Sequence, residues 1–102
     1  MPALPVVFTR RAARQVEAAA EWWRVHRPAA PDALRDDLAG ALALIADHPS
    51  CGVPTTSPRL PGLRRIHLAR IDYYLYYRLA PRLRQVQFVA FWHARRGSRP
   101  TL

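Results

Sequence analysis

Residues 49–62, PSCGVPTTSPRLPG, hold four prolines and two glycines. Proline fixes φ and lacks a backbone donor, so neither a helix nor a central strand runs through such a stretch. It divides two kinds of pattern. Before it, apolar residues recur at three- and four-residue steps; after it, they alternate. Helices therefore precede a sheet instead of interleaving with its strands, which is the mark of an α+β chain. The stretch reads as a long loop, of a kind often tied to function. It is not a domain linker, because the remainder is too short to stand alone. All 102 residues form one domain.

The first half begins with a short strand, VVF at 6–8, followed by Thr9 as a helix N-cap. From there to about His26 the period is helical. Ala12, Val16, Ala19, Ala20 and Trp23 share a face, and Pro28 ends the run. Trp22 and Trp23 cannot both be core on one helix face, so Trp22 is expected to be exposed. A second helix opens at PDALRDD, with Pro31 in its first turn and Asp32, Asp36 and Asp37 near the positive end of its dipole. Leu34, Leu38, Ala41, Leu42 and Ile45 form its apolar face. Gly40 lowers helix propensity by about 1 kcal/mol against alanine and is expected to admit the first helix closely. The two helices form an antiparallel hairpin.

The second half reads as three strands, 63–69, 73–79 and 84–93, joined by short turns near 70–72 and 80–83. Short connections imply an antiparallel meander. The predicted architecture is β-α-α-β-β-β, with the helical hairpin on one face of a small antiparallel sheet. The strand YYLYYRL contains every tyrosine of the chain. Alternation sends Tyr73, Leu75, Tyr77 and Leu79 toward the helices and Tyr74, Tyr76 and Arg78 outward. Ile66 and Leu68 point inward in phase with Arg64, and Arg65, His67 and Ala69 outward. Val86, Phe88, Ala90 and Trp92 form the inward set of the last strand, with Gln85, Gln87, Val89, Phe91 and His93 opposite, a phase that a bulge would shift. An outward face of Arg65, His67, Tyr74, Tyr76, Arg78, Gln87 and His93 is a platform for nucleic acid or an acidic peptide, or an ordinary solvated sheet surface.

The charge is far from neutral. Sixteen arginines and no lysine face seven carboxylates, for a formal +9. Such an excess implies an anionic partner. A lone cysteine, Cys51 in HPSCGVP, excludes an internal disulfide and reads as a loop thiol. The histidines at 26, 48, 67 and 93 show no metal-ligand spacing. No signal peptide is evident, and the longest apolar run, LAGALALIA, is too short to span a bilayer. The expectation is a cytoplasmic protein with no membrane partner and a frayed basic tail over about 95–102.

The element order, the Ala/Leu-rich helices, "HPSCG", "LPGLRR", "YYLYYRL" and "FVAFWHARR" together resemble the RelE/ParE toxins of bacterial type II toxin–antitoxin modules, over about Val6 to Arg96. No single motif is specific; the ordered series is. The tail "WHARR" is more similar to the ParE branch. The resemblance implies a cognate antitoxin of the ribbon-helix-helix, ParD-like type, whose tail wraps the toxin. It implies contact with operator DNA only through that antitoxin, and no cofactor. ParE-like members inhibit DNA gyrase, whereas RelE-like members cut mRNA on the ribosome. A third reading is a non-toxic corepressor acting through its antitoxin. Arg64, Arg65, Tyr74, Tyr76, Arg78, Trp22, Arg95 and Arg96 are the candidate target- or antitoxin-binding residues.

Under the nuclease alternative, cleavage without a metal needs a base for the 2′-hydroxyl, cations for the phosphorane and an acid for the leaving oxygen. His93 and His67 are the titratable candidates, Tyr74 or Tyr76 the assistant, and Arg65 and Arg78 the phosphate ligands. The chain departs from the RelE pattern in lacking lysine and any tyrosine after Tyr77, which leaves His93 alone near the C-terminal catalytic position.

Overall fold

The computed structural model of the chain describes residues 3–96, 100 and 102. Elements follow in the order β1 (Val6–Phe8), α1 (Arg10–His26), α2 (Ala33–Asp47), β2 (Val53–Pro54), β3 (Leu63–Leu68), β4 (Tyr73–Ala80) and β5 (Gln85–His93), with a 3-10 turn at Pro81–Leu83 before β5. Thr9 caps α1 by accepting from the Ala12 N–H at 3.1 Å. At its other end the Trp23 indole donates to Ala30 O at 2.7 Å, tying down the link to α2.

The sheet runs β1-β5-β4-β3-β2. Strands β3, β4 and β5 form the expected antiparallel meander. Two features complete it. β1 joins β5 in parallel, so the sheet is mixed, and residues 53–54 of the Pro-rich loop pair with β3 as a short edge strand. The parallel pair follows from the helical hairpin, which carries the chain over one face as a crossover.

The main core lies between the helices and the sheet. Ala12, Ala19, Trp23, Leu34, Leu38, Ala41 and Ile45 meet Tyr73, Leu75, Tyr77, Val86, Phe88 and Phe91 there. Ala20, placed on the α1 core face from the sequence, is exposed. Gly40 does not admit α1: a Cβ built on it meets nothing within 4 Å. It borders instead an open groove between α2 and β3, with Leu44, Ile66 and Leu68.

One irregularity decides which side chains reach which face. Tyr76 pairs with Ala90 but Tyr77 with Phe88, so β5 bulges at Val89. Helix α1 holds the bulge. The Thr9 hydroxyl donates to Val89 O at 3.3 Å, and the Gln15 side-chain oxygen accepts from the Phe91 N–H at 2.8 Å. Before the bulge, Val86 and Phe88 face the helices, as read from alternation. After it the phase inverts: Phe91 joins the main core, while Ala90 and Trp92 turn to the other face.

That other face is not uniformly open. Leu63, Tyr76, Val89 and Ala90 form a second small core, with Leu60, Tyr74, Trp92 and Leu102 packed on it. Ser57 donates to Leu102 O at 2.9 Å. Of the tail expected to fray, Arg95, Arg96, Pro100 and Leu102 are placed; residues 97–99 and 101 lie outside the described residues.

Candidate functional site

The candidate residues separate onto two surfaces. The first is a recess of about 470 Å³ where α1 passes the end of the sheet. Gln15, Ala18, Ala19 and Trp22 come from α1, Tyr73 from β4, and Phe91 and His93 from β5, with Arg96 at the rim. Because Trp23 takes the core position, with 7 % of its surface exposed, its neighbour Trp22 stays 37 % exposed, as the sequence implied. Its indole stacks on His26 with ring centroids 4.4 Å apart and planes 10° apart. The Arg27 guanidinium lies 5.3 Å from the Trp22 ring, and His93 is 6.1 Å away. Tyr73 forms the floor, stacked on Phe91 at 4.6 Å. Burial pushes the Tyr73 phenol above its ordinary pKa, partly offset by Arg96. An apolar floor with a cationic and imidazole rim suits an apolar side chain flanked by carboxylates.

The second surface is the sheet face away from the helices. Here Arg65 lies over the Tyr74 ring at 4.4 Å, and His67 packs against Tyr74 at 4.9 Å. Tyr76, read from the sequence as outward and free, points outward but is only 3 % exposed, because the second core covers it. Arg78 is half-buried, and its Nε is buried with no partner among the described residues. Trp92, assigned inward by simple alternation, arrives here through the bulge, with Arg96 over its ring at 4.3 Å.

Of two further candidates, Arg64 keeps the side that alternation gave it, in register with Tyr77, whereas His93 changes side. Arg64 reaches the Pro-rich loop, donating to Ser50 O at 3.1 Å and Gly52 O at 2.7 Å. His93 sits in the recess beside Trp22 and Tyr73, because the bulge turns it to the helical face. It is thereby separated from the outward Arg65, Arg78 and Tyr76. The histidine–arginine grouping expected on one face is not assembled, because His93 leaves it; Arg65 and His67 both meet the Tyr74 ring, and Tyr76 lies 6.3 Å from that ring.

Asp72, read as a mere turn residue, links several of these groups. It sits at φ 61° between β3 and β4. Its carboxylate accepts from His67 Nε2 at 3.0 Å and from Arg95 Nε at 3.1 Å. The His67 hydrogen bond, helped by Arg95, holds this carboxyl below its ordinary range. Only the turn signal was legible for Asp72, since its partners come from β3 and the segment after β5. No three His, Cys, Asp or Glu side chains come together as a metal site among the described residues. No helix there is long and apolar enough to cross a membrane.

A family model described as "ParE toxin of type II toxin-antitoxin system, parDE" matches residues 6–97. Among solved structures, a chain of a chromosomal ParDE TA system from P. aeruginosa superimposes with a TM-score of 0.67 at 18% identity, covering 89% of this chain and 96% of that one. At that identity the likeness concerns the fold. No curated protein matches.

Proposed function

The chain belongs to the ParE toxin family of type II toxin–antitoxin systems, and on that premise we propose that it inhibits DNA gyrase by protein–protein contact and is neutralised by a cognate antitoxin. The family match over residues 6–97 carries the reading. The antitoxin is the partner that a parDE system implies, of the ParD-like type. Its acidic or amphipathic tail lays an apolar side chain into the recess around Trp22, Tyr73 and His93, with carboxylates toward Arg27 and Arg96.

The ribosome-dependent endoribonuclease alternative asks His93 and Arg78 to act on one phosphate. Their positions on opposite faces of the sheet speak against it, since a general base must lie within hydrogen-bond reach of the proton it takes.

The test is gyrase supercoiling of relaxed plasmid with the purified protein, alone and with its antitoxin. Inhibition that the antitoxin relieves is the expected result. A folded, antitoxin-binding protein that leaves supercoiling untouched overturns the reading. Mapping of mRNA cuts on ribosomes, with the Arg78→Ala and His93→Ala variants, is then the decisive comparison.

A further inference from the structure

The net charge is not spread over the molecule. Residues 1–47, which include both helices, contain six arginines and six carboxylates. Residues 48–102, which include β2 to β5, contain ten arginines and one carboxylate, Asp72. The entire excess therefore belongs to the sheet half of the chain, and the helical half is balanced. Such asymmetry along the chain points to a polyanion partner for the sheet half, where Arg65 and Arg96 lie over outward rings while Arg70 is paired with Asp37 of α2. Even the single carboxylate there is engaged, by His67 and Arg95.

On the outward face of that sheet, aromatic rings line up across three strands. His67 of β3 is in register with Tyr74 of β4, and Tyr74 with Trp92 of β5. Neighbouring strands lie about 4.8 Å apart, so the three positions form a continuous row. Two of the rings carry a guanidinium plane: Arg65 over Tyr74 and Arg96 over Trp92. A guanidinium laid on a ring offers its outer face to a nucleobase and its N–H groups to phosphate. Two steps further along the same face of β4, beyond Tyr76, the Arg78 Nε has no partner among the described residues.

We propose that this row, His67–Tyr74–Trp92 with Arg65, Arg96 and Arg78, binds single-stranded nucleic acid by stacking unpaired bases on the rings and guanidinium planes. Charge alone would serve any polyanion. The ring row selects unstacked bases, which a duplex does not present. His93, the group the cleavage reading placed near the C-terminal catalytic position, lies in the recess on the other face and does not reach a strand held here. The site does not rest on the gyrase reading, although it shares Arg96 with the recess proposed for the antitoxin.

The test is fluorescence anisotropy of a labelled oligothymidylate of about 12 nucleotides at about 0.1 M salt, against a blunt duplex of similar length and inorganic polyphosphate. The single strand is expected to bind the unmodified protein at least about tenfold tighter than the duplex. Tyr74→Leu or Trp92→Leu should weaken binding by about five- to 150-fold, the range for loss of one stacked base. Tyr74→Phe keeps the ring and should stay within about twofold of the parent. Arg10→Gln with Arg14→Gln, on the exposed face of α1, is the charge control and should do likewise. Equal binding of strand, duplex and polyphosphate overturns the proposal. So does a leucine variant, shown folded by circular dichroism, that binds like the parent. If the leucine variants do not fold, photocrosslinking of a 5-bromouracil strand to the unmodified protein decides. Crosslinks within β3, β4 and β5 support the site; crosslinks elsewhere, or none, overturn it.

Discussion

Tyr77→Phe tests the argument for how the Pro-rich loop is held on the sheet. Tyr77 has none of its surface exposed. Its hydroxyl donates to Pro49 O at 2.7 Å and accepts from the Gly52 N–H at 2.7 Å. The fit leaves no room for a side chain at position 52, where a Cβ would lie 2.7 Å from the Tyr77 hydroxyl. Removing the hydroxyl orphans the buried Gly52 N–H, at about 1–3 kcal/mol. The half-buried Pro49 carbonyl can recover water, so its loss is nearer about 0.5–1.5 kcal/mol. Together these predict a destabilisation of roughly 2–4 kcal/mol, or about 10–25 °C in Tm for a domain of this size. The cost should depend on pH. Burial pushes the phenol up to about 12 from 10.0, against the opposing pull of the Gly52 hydrogen bond. A raised folded pKa contributes stability that is complete below the unfolded value of 10.0 and is lost as pH rises toward 12. At 1.36 kcal/mol per unit the loss is on the order of 2–3 kcal/mol. Urea unfolding followed by circular dichroism, under reducing conditions, should therefore show the gap between parent and variant closing as pH rises above 10. A gap below about 0.5 kcal/mol at neutral pH, under the smallest single-bond loss expected here, would refute the hydrogen-bond argument. A large gap that does not change with pH would refute the burial argument.

Three further outcomes are expected. Gly40→Ala should stabilise the protein by about 1 kcal/mol, since a Cβ there meets nothing and α2 gains helix propensity; destabilisation in urea titrations would contradict it. Asp72→Asn, which tolerates the positive φ, should flatten the acid limb of the stability curve. The lowered Asp72 pKa contributes stability present above pH 3.8 and lost as pH falls through the folded value, so parent and variant should converge in acid; curves that stay parallel would count against it. Antitoxin binding should change the intrinsic fluorescence, and Trp22→Phe should diminish that change; an undiminished signal would move the contact away from the recess.

Most of the fold was legible because its signals are local. Thr9 and Pro28 bound the first helix by capping and by a missing donor. The split between Trp22 and Trp23 followed from helical geometry alone. Tyr73 and Tyr77 were assigned to the core by alternation, and β4 keeps its phase throughout. The ordered series of short motifs pointed to the family, and the charge excess to an anionic partner. Those readings rest on interactions within a few residues, or on composition, which need no coordinates.

The tertiary structure decided the rest. A bulge at Val89 inverts the end of β5, moving His93 into the recess and Trp92 onto the outward face. The groups that hold it, Thr9 and Gln15, come from the other end of the chain. Tyr76 is covered because Leu60 and Leu102, distant in sequence, converge on it. Arg64 meets loop carbonyls twelve and fourteen residues away. Strand alternation is a property of a single segment, so it predicts faces only while the ladder is regular. An extra residue in the ladder is stabilised by partners brought in from elsewhere, and no local pattern records their arrival.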